Sequence, residues 1–256
     1  MNDIENSIKY SQNFLKNPEY VSSLVDKSDI SSDDTVIEIG PGHGIITQQL
    51  ANRANRVIAI EYDKGLVKEL NNTFSNTPNV EIVEEDFLRW NLPASPYKVF
   101  SNIPFNMTAD IVTKLLESRN SPESTYLIMQ NHAAERFVGE PVGPNPQTSI
   151  LLKPFYDMDI VTRISRNQYK PKPNVNTVLA KFSKKEYPSV KYENIQEYRD
   201  FVIYGYNQWK PTIMKAFDEI FPYKQTKIIK RNFRVEGLKP TELNVEQWIK
   251  MFKTYQ

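Results

Sequence analysis

The stretch at residues 36–47 constrains the fold more than any other part of the chain, because it predicts a buried strand that breaks into a glycine-rich loop and then opens a helix. Gly40, Gly42 and Gly44 alternate in this loop, so the backbone can approach a ligand where a Cβ would intrude. The first N–H groups of the following helix favour a polar or anionic ligand group. The pattern indicates a ligand-binding loop, with a plain strand-to-helix turn as the alternative.

The ligand class is narrowed by the glycine spacing and by two acidic residues. A dinucleotide-binding loop spaces its glycines G-x-G-x-x-G, whereas this loop has the spacing G-x-G-x-G. Glu38 precedes the loop, and Glu61 ends the next predicted strand, where a carboxylate can accept hydrogen bonds from both hydroxyls of a ribose. A solvent-exposed acid is the alternative for Glu61. These features favour an S-adenosylmethionine site over a dinucleotide site.

Strand and helix patterns alternate through the first two thirds of the chain. Strands are predicted at 35–39, 56–61, 80–83, 97–102 and 125–129, with parts of a sixth at 149–152 and 159–161 and a last antiparallel strand at 175–182. Helices are predicted from residue 18 and at 45–51, 66–70, 108–118 and 133–138, and a surface loop at 139–147. This alternation predicts an α/β fold with a doubly wound, Rossmann-like sheet.

The strand pattern fades from about residue 184, where several short helices follow. They are predicted near 193–207, 208–220, 224–234 and 243–254. We therefore expect two domains: a ligand-binding domain at 1–183 and a small all-helical domain at 184–256.

Further polar and aromatic residues follow the predicted strands. Ligands of doubly wound sheets bind outside the carboxyl ends of the strands, which would gather the glycine loop, Glu61, Asp86 and residues 102–105 at one edge. Asp86 could accept from an adenine amino group while Phe87 packs beside the ring. Alternatively, Asp86 caps a turn.

The Asn-Ile-Pro-Phe motif at 102–105 is the most specific chemical feature. An adenine amino group is a poor nucleophile because its lone pair is delocalised into the ring. The side-chain oxygen of Asn102 and a backbone carbonyl held by proline can accept both amino hydrogens, which directs the lone pair at a methyl donor. Phe105 offers a stacking face for the base. No strong general base is required, because placement and electrostatics carry such a transfer.

Composition excludes several other classes of site and suggests a polyanionic partner. The chain has no cysteine and only two histidines, His43 and His132, so we expect no disulfide and no metal site. Residues 1–162 hold 13 Lys/Arg and 22 Asp/Glu, whereas residues 163–256 hold 19 and 9, giving net charges of −9 and +10. A basic surface for a polyanion and a merely solvated helical face are both consistent with this split. With no signal-peptide pattern and no long apolar run, a cytoplasmic protein without membrane association is expected.

Taken together, the motifs resemble those of the rRNA adenine N6-dimethyltransferases. They are Tyr-Ser-Gln-Asn-Phe-Leu at 10–15, Glu-Ile-Gly-Pro-Gly-His-Gly at 38–44, Glu61, Asp86-Phe87, Asn-Ile-Pro-Phe at 102–105 and Pro-Lys-Pro-Asn-Val-Asn at 171–176. The motif at 10–15 and the Asn-Ile-Pro-Phe motif at 102–105 resemble the erythromycin-resistance methylase (Erm) branch. Small-subunit dimethyladenosine transferases usually carry Gly-Gln-Asn-Phe-Leu and Asn-Leu-Pro-Tyr instead.

The resemblance implies S-adenosylmethionine as cofactor and assigns roles to residues. The cofactor-binding residues are expected to be Gln12, Asn13, Leu15, Gly40, Gly42, Glu61, Tyr62, Asp86, Phe87 and Asn102. Asn102 and Phe105 would receive the target adenine, and Tyr169 would help to clamp the base or methyl group. The implied reaction is mono- or dimethylation at N6 of an unpaired adenine in the peptidyl-transferase loop of 23S rRNA, free or in a pre-ribosomal particle. It would confer macrolide, lincosamide and streptogramin B resistance, with the protein expected to act as a monomer.

The chain departs from the family pattern in three ways. Tyr169 stands where Phe is usual, and Phe105 where Tyr is commoner, which keeps the stacking face but loses a hydroxyl. The balance of charge is nearly neutral, so RNA affinity would be concentrated at 163–172 and 224–234. A 16S rRNA dimethyltransferase of small-subunit maturation and a non-catalytic nucleic-acid-binding relative remain alternatives. A DNA adenine methylase is less favoured, because it would normally have Pro at position 103.

Overall fold

A computed structural model describes residues 13–142 and 146–256 of the protein. Its strands are β1 (Phe14–Leu15), β2 (Thr35–Ile39), β3 (Arg56–Glu61), β4 (Val80–Glu84), β5 (Lys98–Asn102), β6 (Ser124–Gln130), β7 (Tyr156–Ile164), β8 (Tyr169–Lys170) and β9 (Thr177–Lys184). Its α-helices are α1 (Pro18–Val25), α2 (Ile45–Ala51), α3 (Lys64–Thr73), α4 (Thr108–Leu116), α5 (Asn131–Val138), α6 (Gln147–Leu152), α7 (Ile195–Asn207), α8 (Ile213–Ala216), α9 (Tyr223–Asn232) and α10 (Val245–Tyr255). This order confirms the predicted α/β class with C-terminal helices.

Seven of these strands form one sheet in the order β4-β3-β2-β5-β6-β9-β7. Strands β4, β3, β2, β5 and β6 are parallel, and β9 pairs antiparallel with β6, as the sequence predicted for the last strand. The strand ends are in close register, with Glu61 opposite Glu84 and Asn102 opposite Ile128. The carboxyl ends of the parallel strands therefore meet at one edge, which is where the sequence placed the site.

The centre of the sheet is apolar because helices cover parallel strands on both faces. Strand β6 is buried along its whole length except at Gln130, and the same holds for the middle of β2 and β3. The residues at the centre that are completely buried include Val36, Ile37, Val57, Ala59, Val99, Phe100, Leu127 and Ile128. This burial stabilises the fold by about 25 cal/mol for each Å² of apolar surface removed from water, and it fixes the strands that carry the site.

One predicted strand segment is wrong. Residues 149–152 were predicted to belong to strand six, but they lie in helix α6, which follows Pro146. The N–H groups of Ser149 and Ile150 both donate to the Pro146 carbonyl, at 3.0 and 3.2 Å, and so begin helical turns. A stretch of four residues, of which the last three are apolar, is too short for periodicity to separate a strand from a buried helix. The other predicted part, 159–161, does lie in a strand, β7. Residues 143–145 of the predicted loop lie outside the described residues.

The chain divides into two compact units, one formed by the chain through Ala134 with Asp159–Lys184, and the other by Glu135–Met158 with Lys185–Gln256. The first unit holds the parallel strands. The second is held by an aromatic cluster, in which Phe201 lies 4.7 Å from Phe217 and 5.6 Å from Phe252, measured between ring centroids. The helix predicted at 208–220 is only the short α8, because Pro211 and the Thr212 cap delay its start. No helix in the described part of the chain has the length and apolar composition to span a membrane.

Candidate active site

The glycine loop joins β2 to α2 and has the backbone conformation that its sequence predicts. Gly40, Gly42 and Gly44 all have positive φ, at 65°, 59° and 81°. Gly44 is the N-cap of α2 and brings no side chain to the first turn, so the N–H groups of that turn face the loop. A Cβ on Gly40 would lie 3.9 Å from Cδ of Pro104. The loop therefore lies directly beside the Asn-Ile-Pro-Phe motif.

Phe14 covers the loop at its centre. A Cβ on Gly42 would lie 2.6 Å from a ring carbon of Phe14, closer than such atoms approach in proteins. The centre of the Phe14 ring also lies 4.8 Å from the centre of the His43 ring. Nδ1 of His43 is hydrogen-bonded to Oε1 of Glu69 at 2.9 Å. Sequence reasoning gave Phe14 no role, although it stands between the two predicted cofactor residues Asn13 and Leu15.

Glu61 lies at the end of β3 with 5% of its surface exposed. Its Oε1 accepts from the N–H groups of Tyr62 and Asp63, at 2.9 and 3.0 Å, and its Oε2 accepts from Gly42 N–H at 3.3 Å. Burial raises the pKa of this carboxyl, and the three N–H groups oppose that rise. A carboxylate offers about four acceptor positions, so the Glu61 oxygens retain capacity for ribose hydroxyls while the carboxylate is fixed to the glycine loop.

Glu38, the acidic residue before the loop, is completely enclosed. It accepts a 2.6 Å hydrogen bond from the hydroxyl of Thr47 on α2. Burial, with a smaller contribution from the charge of Glu61, raises the pKa of the Glu38 carboxyl to about 8. The bond ties β2 to the first turn of α2 and so holds the two ends of the loop together.

Asp86 and Phe87 follow β4, beside Glu61, whose carbonyl accepts from Glu85 N–H at 3.1 Å. Oδ1 of Asp86 accepts from Leu88 N–H at 2.9 Å, so this residue does cap a turn, and Phe87 is buried. Lys114, which the sequence analysis missed, donates to the carbonyls of Phe87 and Trp90 and lies 5.0 Å from the centre of the Phe87 ring.

Lys114 could have been identified from its position in α4. It follows Ile111 by three residues and therefore lies on the inward face of that helix, where a charge needs a partner. Partial burial lowers the pKa of its ammonium group, opposed by the charge of Asp86. Lys114 fixes the loop that carries Asp86 and Phe87.

Asn102 ends β5 at the centre of this edge. Its Nδ2 donates to the main-chain carbonyl of Asn13 at 2.9 Å, and within the described part of the chain its buried Oδ1 has no hydrogen-bond partner. A buried acceptor without a partner is costly, by about 1–3 kcal/mol. The amide is thus oriented through its nitrogen, and its oxygen is left for a donor from outside the chain.

The motif continues from Asn102 into a 3-10 turn at Phe105–Met107. The Pro104 carbonyl accepts from Met107 N–H, and the Phe105 carbonyl accepts from the Thr108 hydroxyl, both at 3.0 Å. These bonds fix the backbone on both sides of Phe105, whose ring is half-buried. The arrangement presents an aromatic face three residues after the unpartnered amide oxygen.

Tyr169 lies in the two-stranded sheet formed by β1 and β8, opposite Leu15. It is 3% exposed, and its hydroxyl is 2.8 Å from that of Thr177. Burial raises the pKa of the Tyr169 hydroxyl. The ring packs in the apolar core with Leu15 and Ile164. Its predicted role as a clamp stays a prediction.

The other predicted residues differ in how far the structure positions them. Gln12 lies outside the described residues. Tyr62 is 60% exposed and follows Glu61 directly, so its ring is available to a ligand bound there. Among the described residues no group of three or more His, Asp or Glu side chains is placed to hold a metal ion.

The residues gathered at this edge fit S-adenosylmethionine and an adenine base. The glycine loop admits a ligand against the backbone, Glu61 offers carboxylate oxygens for a ribose, and Asn102 offers an unpartnered acceptor. These features lie at the carboxyl ends of β2, β3 and β5, where doubly wound sheets bind their ligands.

Known proteins resemble this chain along most of its length. Residues 4–256 match the family model described as ribosomal RNA adenine dimethylase. The chain is 28% identical over 251 residues to an rRNA adenine N-6-methyltransferase of Lysinibacillus sphaericus, covering 98% of this chain and 97% of that one. It is 34% identical over 185 residues to the ribosomal RNA small subunit methyltransferase A of Levilactobacillus brevis, covering 68% of this chain and 62% of that one.

Among solved structures, the 23S rRNA methyltransferase ErmE superposes with a TM-score of 0.83 at 25% sequence identity, covering 94% of this chain and 98% of that one. A dimethyladenosine transferase from Plasmodium falciparum superposes with a TM-score of 0.78 at 22% identity, covering 93% and 95%. The likeness at this lower identity concerns the fold alone.

Proposed function

Because the chain belongs to the ribosomal RNA adenine dimethylase family, we propose that it methylates N6 of one unpaired adenine in the peptidyl-transferase loop of 23S rRNA. As a member of this family the protein is an rRNA adenine-N6-methyltransferase that uses S-adenosylmethionine. The proposal concerns which rRNA it modifies and the consequence for the cell, namely resistance to macrolides, lincosamides and streptogramin B.

One observation carries the proposed chemistry: Oδ1 of Asn102 is buried without a partner in the described residues, and Nδ2 is fixed by the Asn13 carbonyl. An adenine amino group brings the hydrogen that this oxygen lacks. Oδ1 of Asn102 accepts one amino hydrogen, and a backbone carbonyl of the motif accepts the other. These two hydrogen bonds localise the lone pair on the adenine nitrogen. The amide thereby acts by placement and electrostatics.

S-adenosylmethionine supplies an electrophilic methyl group on its sulfonium. The residues of this chain bind and orient the two reactants. The glycine loop and Glu61 hold S-adenosylmethionine, and Asn102 and Phe105 hold the target adenine. Bound S-adenosylmethionine would give up this methyl group and leave as the neutral thioether, while the adenine amino group, oriented by Asn102, releases its proton to water. Stacking on Phe105 contributes about 1–3 kcal/mol to holding the base.

The large-subunit substrate is supported by the motifs and by the extent of the similarity. Two relatives named rRNA adenine N-6-methyltransferase, those of Lysinibacillus sphaericus and Limosilactobacillus reuteri, match along 97% of their length, and ErmE along 98%. The small-subunit relative from Levilactobacillus brevis has higher identity but shares 62% of its length, and the one from Clostridium perfringens is 28% identical and shares 82%. The Asn-Ile-Pro-Phe motif at 102–105 further resembles the Erm branch.

The test is primer extension on 23S and 16S rRNA from a drug-sensitive bacterium that expresses the protein. We expect one methylated adenine in the peptidyl-transferase loop, detected as a primer-extension stop when N6 carries two methyl groups and by mass spectrometry of the loop fragment when it carries one, together with a raised inhibitory concentration of erythromycin. Asn102→Ala, expressed at the same level, should abolish both. A stop in 16S rRNA with none in 23S rRNA would overturn the proposal in favour of small-subunit maturation.

Purified protein allows the substrate to be tested directly. Transfer of labelled methyl groups from S-adenosylmethionine is measured on protein-free 23S rRNA, on large subunits and on small subunits. We expect transfer to 23S rRNA, and the number of methyl groups per adenine then separates monomethylation from dimethylation. Transfer to small subunits alone would contradict the proposal.

A further inference from the structure

Trp209 is 95% exposed, in the second compact unit. By contrast, Trp248 of the same unit is completely buried. A tryptophan side chain is large and mostly apolar, and leaving it in water forgoes the stabilisation that burial provides. Such residues are enriched at interfaces, where the ring gains a partner. The exposure of Trp209 therefore needs a physical reason.

The segment 208–212, here called the Trp209 loop, is fixed at both ends. Before it, a Cβ on Gly205 of α7 would lie 2.6 Å from the Trp248 ring, so that turn packs closely against the aromatic cluster. After it, Ile213 is completely buried, and its N–H donates to the Leu238 carbonyl at 2.8 Å.

The first and last residues of the Trp209 loop have extended backbone conformations, and the chain bends at residues 210–212. Gln208 has φ −80° and ψ 126°, and Thr212 has φ −142° and ψ 160°. Lys210 precedes Pro211, which disfavours the helical region for Lys210. A short loop with anchored ends displays the Trp209 ring with little backbone freedom left to lose on binding, and this lowers the cost of association.

Positive charge in the C-terminal helices is concentrated in the part of the sequence that contains this loop. Residues 208–239 hold 8 Lys/Arg and 3 Asp/Glu, whereas residues 185–207 and 240–256 together hold 5 and 6. Lys239 follows Leu238, whose carbonyl is hydrogen-bonded to Ile213 at the end of the Trp209 loop. Lys210 lies within the loop. One described ion pair within the segment joins Lys230 to Glu236 at 3.1 Å.

We propose that Trp209 stacks on an unpaired base of the rRNA substrate, while the cations of residues 208–239 contact the neighbouring phosphates. Single-stranded nucleic acids are bound in this way, by aromatic faces set among positive charges. A protein partner is less favoured, because the segment around the ring is basic. The inference rests on the proposed function in so far as the RNA is taken to be 23S rRNA.

The test measures binding of a labelled RNA that contains the peptidyl-transferase loop of 23S rRNA. Trp209→Ala should weaken binding about ten-fold or more, which corresponds to loss of one stacked base, whereas Trp209→Phe should retain much of the affinity. Tyr187→Ala is the matched control, because Tyr187 is 84% exposed in the same unit but lies outside residues 208–239. It should bind within about two-fold of the parent. Equal thermal unfolding of all variants verifies that they fold.

Salt dependence separates stacking from charge. Trp209→Ala should leave the slope of log K against log salt unchanged, because no cation is removed. Replacing Lys227, Lys230 and Arg231 by Gln should reduce that slope by about 0.7 for each phosphate that is no longer neutralised. Replacing Lys191, Lys250 and Lys253, three cations of the same unit outside residues 208–239, is the charge-matched control and should change the slope less.

Two results would overturn the inference. One is Trp209→Ala binding within two-fold of the parent, or no more weakly than Tyr187→Ala. The other is normal binding to free RNA with lost binding to ribosomal particles, which would indicate a protein partner. If the parent methylates 16S rather than 23S rRNA, the proposed function fails, and the same variants are compared on the 16S segment that is methylated, so the two failures are distinguishable.

Discussion

Nδ2 of Asn102 and the main-chain carbonyl of Asn13 are joined by a 2.9 Å hydrogen bond across 89 residues of sequence. The bond consumes a donor of the amide and leaves its oxygen without a described partner. Because the acceptor is a backbone carbonyl, the side chain of residue 13 can change without removing it. The orientation of the central polar group at this edge thus depends on the path of the chain before β1.

Asn102→Ala should reduce methyl transfer by at least about 100-fold, the usual cost of removing one preorganised polar group from a reacting centre. Cofactor binding should remain measurable, since the glycine loop and Glu61 are untouched. Single-turnover methyl transfer and calorimetric titration with S-adenosylmethionine check the two parts. Asn106→Ala, at an exposed neighbouring amide, is the control. Parent-like turnover in Asn102→Ala would contradict the role.

Phe105→Ala should lower kcat/KM by roughly 5- to 150-fold, which corresponds to the 1–3 kcal/mol of a stacked base. Phe105→Tyr keeps the aromatic face and should stay within a few-fold of the parent. Steady-state kinetics on the methylated RNA check this, and the affinity for S-adenosylmethionine serves as the control. Equal losses in the two variants would show that no base stacks there.

Gly42→Ala should impair cofactor binding and lower the free energy of unfolding, because the added Cβ would lie 2.6 Å from the Phe14 ring and φ is 59°. Gly237→Ala is a matched control: φ is 83°, but a Cβ there meets nothing within 4 Å. The free energy of unfolding of the control should fall by only about 1–2 kcal/mol, the cost of placing a residue with a side chain in a left-handed backbone conformation.

Adding Phe14→Ala to Gly42→Ala should recover part of the difference in unfolding free energy between Gly42→Ala and Gly237→Ala, because it removes the ring that the new methyl group meets. Denaturant unfolding of the parent, Gly42→Ala, Gly237→Ala and the double variant gives their free energies of unfolding. If Gly42→Ala and Gly237→Ala destabilise equally, or the second substitution recovers nothing, Phe14 does not close the loop.

Glu38 makes stability depend on pH. In the folded protein its carboxyl keeps a proton up to about pH 8, whereas its ordinary pKa is 4.5. The folded state therefore binds more protons between these values, and stability falls as pH rises from about 4.5 to about 8, by at most about 1.4 kcal/mol per pH unit. Below this window the contribution is fully present.

Glu38→Gln should flatten this fall, since an amide of the same shape does not titrate, and should be more stable than the parent near pH 8. Denaturant unfolding of the cofactor-free protein at pH 5, 6.5 and 8 measures the slopes. Glu219→Gln, at an exposed acid, is the control and should keep the slope of the parent. An unchanged slope in Glu38→Gln would place the titrating group elsewhere.

The sequence predicted the parallel strands and the glycine loop because their signals are local: apolar runs of strand length and glycines at alternating positions. It did not predict helix α6, where the three-residue apolar run at 150–152 fits either type of element. Nor did it predict the Trp209 loop, where a proline and a cap decide the start of a helix.

Within the candidate site, the sequence identified residues but not their contacts. Asn102 was singled out, yet its bond to Asn13 depends on chain paths far apart in sequence, and so does the packing of Phe14 on Gly42. Lys114 lies on the inward face of α4, which indicates that it needs a partner, but the partners themselves are backbone carbonyls of another loop and leave no pattern in the sequence.

The pairing of β1 with β8 has a consequence for biosynthesis. Leu15 and Phe14 pair with Tyr169 and Lys170, so the cover of the glycine loop is joined to a strand made about 150 residues later. Chains emerge from the ribosome N-terminus first. A nascent chain that carries β2, the glycine loop and α2 still lacks the strand that secures Phe14, and the site is completed only when the segment around residue 170 has emerged.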